Sequence, residues 1–131
     1  MTKLLLYVLL IGLPSLALPQ NTQQIKKDFT AAFSKGKAST LQSYFKSFVK
    51  LNISENSGFF SESKSFWILK DFFKKNNVSK FTLKESGFAG DNYYLIGIYT
   101  SGNRQWNVYG LFGPGKNGYQ IQQLDIEEND L

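Results

Sequence analysis

The chain has 131 residues, is rich in aromatics with twelve Phe, seven Tyr and two Trp, and contains no cysteine and no histidine. These absences exclude disulfides, a thiol nucleophile and any imidazole acid, base or metal ligand. The formal net charge is +5, with an excess of lysine over residues 21–84 and an excess of acids over residues 85–131. Arg104 is the only arginine, and arginine suits phosphate recognition best, so we expect a solvated basic face and no nucleic-acid partner.

The first 19 residues have the pattern of a signal peptide. Lys3 precedes a mostly apolar run from Leu4 to Leu13, and the small residues Ser15 and Ala17 suit cleavage after Ala17. The apolar run is too short to span a bilayer. We therefore expect an exported protein, periplasmic or secreted, with residues 20–131 forming one domain and with no membrane attachment after cleavage.

Two helices are predicted at the start of this domain. Four apolar residues repeat at helical spacing, namely Ile25, Phe29, Ala32 and Phe33. Asn21 or Thr22 is predicted to cap this helix, and Gly36 to end it in a left-handed conformation. Ser39 and Gln42 then predict a capping box for a short second helix. The apolar side of the second helix is expected to contain Leu41, Tyr44 and Phe45.

The hydrophobic period next changes from that of a helix to that of a strand. Val49, Leu51 and Ile53 alternate with polar residues, which predicts a half-buried strand. The segment Asn56-Ser57-Gly58 predicts a turn, and Phe59-Phe60 a short return strand.

A third helix is predicted from the capping residue Ser61 to about Asn76. Its acidic first turn and basic last turn complement the helix dipole. The side facing the core is expected to contain Phe66, Leu69 and Phe73, widened by Ile68 and Phe72.

The remaining sequence predicts four strands joined by hairpin turns. Their predicted ranges are 79–86, 92–101, 104–112 and 119–126, and the acidic residues 127–131 are expected to fray. Helices segregated from a run of strands predict an α+β fold, with three helices packed on one face of an antiparallel sheet.

Several sequence blocks carry a family resemblance. They are residues 41–45, 51–53, 68–76, Tyr94–Gly97 with Thr100, Val108-Tyr109, and 121–127. In these blocks the chain resembles the domain of unknown function 4783, a family of exported Bacteroidetes proteins in the nuclear transport factor 2-like (cystatin-like) superfamily. The resemblance implies a strongly curved sheet wrapped around three helices as a cone, whose mouth is often a small-molecule pocket in the superfamily. It implies no specific activity, because the family has no assigned function. Asn107 and Asp125 stand where the family tends to have basic residues.

The ionisable residues do not form a recognisable catalytic or metal site. Superfamily enzymes rely on a buried Asp, His, Arg or Tyr. Here Asp71 is expected to pair with Lys75 on an exposed helix face, Asp91 belongs to a turn, and no oxygen-rich loop of calcium-binding spacing surrounds the C-terminal acids. We therefore predict no catalytic residue, no metal and no cofactor. The alternative is an isomerase or hydrolase that uses a buried Asp or Tyr in the cone.

The aromatic strands provide the main functional hypothesis, a non-catalytic binding or interaction module. Candidate pocket or interface residues are Tyr93, Tyr94, Tyr99, Trp106, Tyr109 and Tyr119. One face of the second of these four strands carries Tyr94, Ile96 and Ile98, while Tyr93, Leu95 and Tyr99 lie on the other. Because helices can cover only the concave face, we expect a homodimer through the convex face, and a small apolar ligand is the other possible partner. A basic surface that binds anionic envelope polymers or nucleic acid is a third hypothesis.

Overall fold

The computed structural model describes residues 21–130, so the predicted signal peptide, residues 1–19, lies outside the described residues. The three helices are α1 (Thr22–Lys35), α2 (Ser39–Gln42) and α3 (Glu62–Lys75). The six strands are β1 (Phe45–Ile53), β2 (Asn56–Ser61), β3 (Lys80–Ala89), β4 (Asn92–Ser101), β5 (Arg104–Gly115) and β6 (Gly118–Glu128). The predicted α+β class is confirmed.

The six strands form one curved, unclosed sheet in the order β2-β1-β6-β5-β4-β3. All neighbouring strands are antiparallel except β1 and β6, which run parallel. The prediction of a wholly antiparallel sheet is therefore wrong for this one pair of strands. The reason is the position of α3, which carries the chain from one edge of the sheet to the other. Bulges between Leu83 and Glu85 and beside Leu111 and Phe112 interrupt the register, and bulges bend and twist strands.

Aromatic rings fill the space between the helices and the concave face. Phe33 of α1 is fully buried, and its ring centroid lies 4.9 Å from that of Phe29, 5.2 Å from that of Phe81 and 5.4 Å from that of Phe73. Helix α1 approaches the sheet closely at Gly110, where an added Cβ would lie 2.6 Å from the Phe29 ring. The core therefore joins α1, α3 and the middle strands through a continuous set of ring contacts.

The helix ends match the predictions only in part. Gly36 has φ 62° and its N–H donates to the Ala32 carbonyl oxygen, which confirms the left-handed end of α1. Ser61 caps α3 by accepting from the Lys64 N–H. Asn21 stands at the N-cap of α1 but makes no side-chain capping bond, and α2 begins after Ala38 without one either. The predicted Ser39–Gln42 capping box is therefore wrong, because Ser39 is already inside the helix.

The boundary between α2 and β1 was also predicted wrongly. Phe45, expected on the second helix, begins β1 and pairs with Ile121 of β6. Asn56 to Gly58, expected as a turn, belong to β2, and the turn is the preceding pair Ser54-Glu55. Ser54 has φ 55°, a left-handed conformation that a sequence-based turn rule would assign to glycine.

Two further expectations need correction. Phe66 is only half-buried, and the core side of α3 contains the small residue Ser65 in addition to the predicted Ile68, Leu69, Phe72 and Phe73. Residues 127–128 do not fray, because Glu127 and Glu128 continue β6 opposite Asn107 and Trp106 of β5. Their charge is tolerated because this end of the sheet is exposed.

Candidate functional site

The six aromatic residues predicted as candidates lie in three different places. Tyr93, Tyr99 and Trp106 are buried on the concave side, Tyr94 and Tyr109 are half-buried on the convex side, and Tyr119 is half-buried near the tip of the β5–β6 hairpin. The strand alternation separates them in this way because neighbouring residues of a strand point to opposite faces. Tyr93 and Tyr119 are neighbours, with ring centroids 6.5 Å apart.

The interior of the cone is filled by its own side chains. The Trp106 ring packs against Phe72 and Tyr99, with centroid distances of 5.3 and 5.8 Å. The Tyr99 hydroxyl donates to the Asn76 carbonyl oxygen, and burial raises the pKa of Tyr99 to about 12. Among residues 21–130 the only buried polar or charged residue is Ser65. The interior thus presents no carboxylate to a substrate in the described part of the chain.

The arrangement nearest to an acid–base pair joins Asp28 of α1 to Tyr44. The Tyr44 hydroxyl donates to Asp28 Oδ2 at 2.6 Å, and Gln24 Nε2 donates to Asp28 Oδ1 at 2.9 Å. Burial, together with the hydrogen bond to Asp28, raises the pKa of Tyr44 well above its ordinary value. Tyr44 therefore remains a protonated donor, and both oxygens of Asp28 already have partners. This pair ties α1 to the segment before β1.

A first surface cleft, of about 570 Å³, lies beside the β4–β5 turn. Arg104 Nε and Nη2 each donate to a different oxygen of Glu128 at 2.8 Å, which lowers the pKa of that carboxyl. The guanidinium also lies over the Trp106 ring, 4.9 Å from its centroid, and Asn52 Nδ2 donates to Glu127 at 2.8 Å. Arg104, Glu127 and Glu128 therefore already have hydrogen-bond partners within the protein.

A second cleft, of about 450 Å³, lies between the tips of the β3–β4 and β5–β6 hairpins, and we call it the tip cleft. Its lining residues are Phe88, Gly90, Asp91, Pro114, Gly115, Gly118 and Tyr119. Both hairpin tips fall at the same end of the sheet because β3 to β6 form an antiparallel meander. A volume of this size is in the range of small-molecule sites.

Two rings, Phe88 and Tyr119, line the tip cleft, and the buried Tyr93 ring contacts both. Phe88 pairs across the strands with Tyr93, and the two ring centroids are 5.2 Å apart. The Tyr93 ring lies 6.5 Å from that of Tyr119, so Tyr93, which is buried, supports both neighbours from below. Four large apolar side chains among residues 21–130 are exposed, Phe48, Phe59, Trp67 and Phe88, and of these only Phe88, at 62 %, lines the tip cleft. A ligand in the cleft can cover this exposed ring.

The polar rim of the tip cleft was not predicted. Asp91 was assigned only to a turn, and it is exposed in the β3–β4 turn on the rim of the cleft. Within residues 21–130 the salt bridges are Asp71–Lys75 and Arg104–Glu128, so the Asp91 carboxylate belongs to neither. The only sequence signal for Phe88 and Asp91 is an aromatic residue close to a Gly-Asp turn, which is too common to identify a site.

The convex face carries a smaller apolar group, which we call the convex patch. Its members are Tyr94, Ile96, Ile98, Tyr109 and Leu111, all half-buried. Cross-strand pairs connect them, with Tyr94 opposite Leu111 and Ile96 opposite Tyr109. Polar neighbours limit the patch, because the Tyr94 hydroxyl donates to Glu85 at 2.6 Å and Tyr109 lies opposite Asp125. The pKa of Tyr94 rises through this hydrogen bond, and that of Tyr109 rises through burial and the charge of Asp125.

Residues 21–130 contain neither a metal-binding cluster of side chains nor a membrane-spanning helix. No group of three or more carboxylate, histidine or cysteine side chains there could hold a metal ion. No helix in the same range is long and apolar enough to cross a membrane.

Comparisons with known proteins identify a family. The family described as "Domain of unknown function (DUF4783)" matches residues 26–127. No curated protein matches the chain significantly. A DUF4783 family protein from Bacteroides uniformis is 25 % identical, with a TM-score of 0.75 over 80 % of this chain and 97 % of its own. A DUF4783 family protein from Bacteroides fragilis is 28 % identical, with a TM-score of 0.72 over 78 % of this chain and 96 % of its own.

A wider likeness concerns the fold alone. An NTF-2 like protein of unknown function from Silicibacter pomeroyi is 9 % identical, with a TM-score of 0.59 over 82 % of this chain and 92 % of its own. The sheet wrapped over three helices is therefore an NTF2-like architecture.

Proposed function

Since the chain belongs to the DUF4783 family, whose function is unknown, we propose that it is an exported, non-catalytic module that binds a small ligand in the tip cleft. The observation that carries this proposal is the exposed Phe88 ring, which lies on Tyr93 beside a cleft of about 450 Å³. A ligand that covers this exposed ring gains apolar burial.

The filled interior supports binding over catalysis. The enzyme alternative requires a buried Asp or Tyr that is free to exchange a proton with a substrate. Tyr99 donates to a backbone carbonyl, and Tyr44 donates to Asp28. Each hydroxyl thus already has a structural acceptor.

A neutral fluorescent probe tests the ligand site. We expect N-phenylnaphthylamine to bind saturably, at one site per chain, with increased emission. Phe88→Ala should abolish this binding because it removes the exposed wall of the cleft. The matched control is Phe59→Ala, which removes a ring that is 72 % exposed on β2 and does not line the tip cleft. Equal probe binding by both variants would contradict the proposal.

Export is part of the same proposal and has its own test. The basic start, the short apolar run and the small residues before Leu18 support cleavage near that residue. N-terminal sequencing of protein from the cell exterior or periplasm should give a chain that starts near Leu18. A chain that still begins at Met1 would argue against an exported role.

The convex patch supports a second binding role, self-association into a homodimer. Its five half-buried apolar residues lie next to one another on two strands, and a second copy could cover them. Sedimentation velocity at micromolar concentration should give a dimer, and Ile96→Lys should give a monomer with unchanged circular dichroism. A monomeric wild-type protein would remove this role and leave the ligand site unaffected.

A further inference from the structure

The tip cleft combines aromatic rings with a single carboxylate. The rings of Phe88, Tyr93 and Tyr119 form a connected row with centroid separations of 5.2 and 6.5 Å. Asp91 lines the same cleft and is its only charged lining residue. The remaining lining residues are glycines and one proline, which add neither charge nor a side-chain hydrogen-bond donor.

This combination suits a particular ligand chemistry. The face of an aromatic ring carries partial negative charge and attracts a cation that lies within about 6 Å of the ring centroid. A quaternary ammonium group cannot donate hydrogen bonds, so rings and a nearby carboxylate recognise it better than polar side chains do. A neutral apolar ligand would use the rings but would gain nothing from Asp91.

We propose that the tip cleft binds ligands that carry an alkylated ammonium group, with the rings of Phe88 and Tyr119 beside the cation and the Asp91 carboxylate balancing its charge. The inference rests on the proposed ligand-binding function and narrows it to one chemical class. The exposed face of Phe88 provides the outer wall of the site. The buried ring of Tyr93 does not line the cleft but contacts the Phe88 and Tyr119 rings, with centroid distances of 5.2 and 6.5 Å.

One nearby cation acts against this binding. Lys116 lies in the β5–β6 turn, next to the lining residue Gly115, but does not itself line the cleft. Its side chain is exposed, so solvent and salt weaken its repulsion of a bound cation without removing it at low salt. Because Lys116→Ala removes the remaining repulsion, it should tighten the binding of an ammonium ligand at low salt and leave the binding of a neutral ligand unchanged.

The test compares choline with its neutral tert-butyl analogue, in which carbon replaces the quaternary nitrogen. Both compete with N-phenylnaphthylamine on the purified full-length mature protein. We expect choline to displace the probe with an affinity about tenfold higher than that of the analogue, the size of effect that cation–π contacts give. Asp91→Asn should remove most of this preference, whereas Asp71→Asn, which changes an exposed acid on α3, should keep it.

The outcomes separate this inference from the function on which it rests. Equal displacement by choline and the analogue, with both lost in Phe88→Ala, would overturn the ammonium inference and keep the ligand site. Probe binding that neither compound displaces and that Phe88→Ala does not change would overturn both. A choline preference that survives Asp91→Asn and Phe88→Ala would also overturn the inference, because the cation would then bind elsewhere. Circular dichroism of each variant confirms that the fold is intact.

Discussion

The interior rings and the rings of the tip cleft are alike in chemistry and in spacing, but they differ in what surrounds them. In the interior, Phe33 has neighbouring centroids at 4.9 to 6.3 Å and no exposed surface. In the tip cleft, Phe88 has a neighbour at 5.2 Å yet remains 62 % exposed. Ring contact alone therefore does not distinguish a packed core from a recognition surface.

The glycines beside the two groups show the same difference. At Gly110 an added Cβ would lie 2.6 Å from the Phe29 ring, so the missing side chain lets a core ring reach the backbone. At Gly90 and Gly118, which line the tip cleft, nothing lies within 4 Å of the added Cβ, whereas at Gly115 of the same cleft a neighbouring side chain would lie 2.3 Å away. Glycine thus makes room for a core ring at Gly110 and adjoins open space at Gly90 and Gly118. Open space beside a ring is therefore a better sign of a site than ring contact alone.

The largest effect should come from Phe33→Ala in the core. We expect it to lower the free energy of unfolding by about 3 to 5 kcal/mol, because it removes a fully buried ring and leaves a cavity. Urea unfolding followed by far-ultraviolet circular dichroism measures the change. A loss below about 1 kcal/mol would mean that the interior rings do not form the core described here.

A second core change adds volume instead of removing it. Gly110→Ala should cost about 1 to 3 kcal/mol, because the Phe29 ring is fully buried and cannot move aside without strain. Adding Phe29→Leu should recover part of the loss, so the two changes should not be additive in unfolding experiments. Strict additivity would place the cost of Gly110→Ala somewhere other than this contact.

The amino-acid sequence predicts the regular parts of the fold well. The helical spacing of Ile25, Phe29 and Phe33 identifies α1, and the alternation of Tyr93, Leu95 and Tyr99 assigns these residues to one face of β4, as the structure has them. These patterns are local consequences of facing a core. The boundary at Phe45 and the turn at Ser54-Glu55 were missed, because pairing of β1 with β6 and β2 decides them. No local pattern shows which distant strand will pair.

The candidate site was predicted only in part, for the same physical reason. Of the predicted candidates only Tyr119 lines the tip cleft, and Tyr93 contacts its ring from the interior, because the β3–β6 meander brings two turns to one end. Phe88 was missed, since its exposure depends on the cross-strand pair with Tyr93 and on the absence of cover beyond the turn. Tyr99 was also a candidate, but it is a core residue.

Alkaline pH should weaken the interior. Burial raises the pKa of Tyr99 from 10.0 to about 12, so the unfolded chain loses this proton at lower pH than the folded chain does. The resulting stabilisation is complete below pH 10 and is lost as pH rises through about 12. Urea midpoints across this range should fall, and they should fall less in Tyr99→Phe.

The Tyr99→Phe variant also tests the Tyr99 hydrogen bond at neutral pH. Its free energy of unfolding should be lower than that of the wild type by about 0.5 to 1.5 kcal/mol, because the Asn76 carbonyl loses its hydroxyl donor. If the alkaline slope of the variant equals that of the wild type, the titration belongs to other groups, such as Tyr44.

An exposed ion pair sets the scale for surface changes. Lys75 Nζ lies 3.0 Å from Asp71 Oδ2 on α3, as predicted, with both side chains more than half exposed. Asp71→Asn should cost only about 0.3 to 0.5 kcal/mol, since water and salt screen such pairs. The loss should shrink further in high salt. A salt-independent loss of several kcal/mol would mean that Asp71 has a structural role that its exposure does not suggest.

The smallest effect on stability should come from Phe88→Ala, the counterpart of Phe33→Ala. Both variants remove a phenyl ring that contacts another aromatic ring, but the Phe88 ring is mostly in water already, so its removal creates no cavity. We expect a change in unfolding free energy of at most about 0.5 kcal/mol. The pair of variants thus compares one residue type in two environments by a single urea experiment. A loss for Phe88→Ala that approaches that of Phe33→Ala would show that Phe88 packs as a core residue. The proposal that Phe88 forms an exposed wall of the tip cleft would then be wrong.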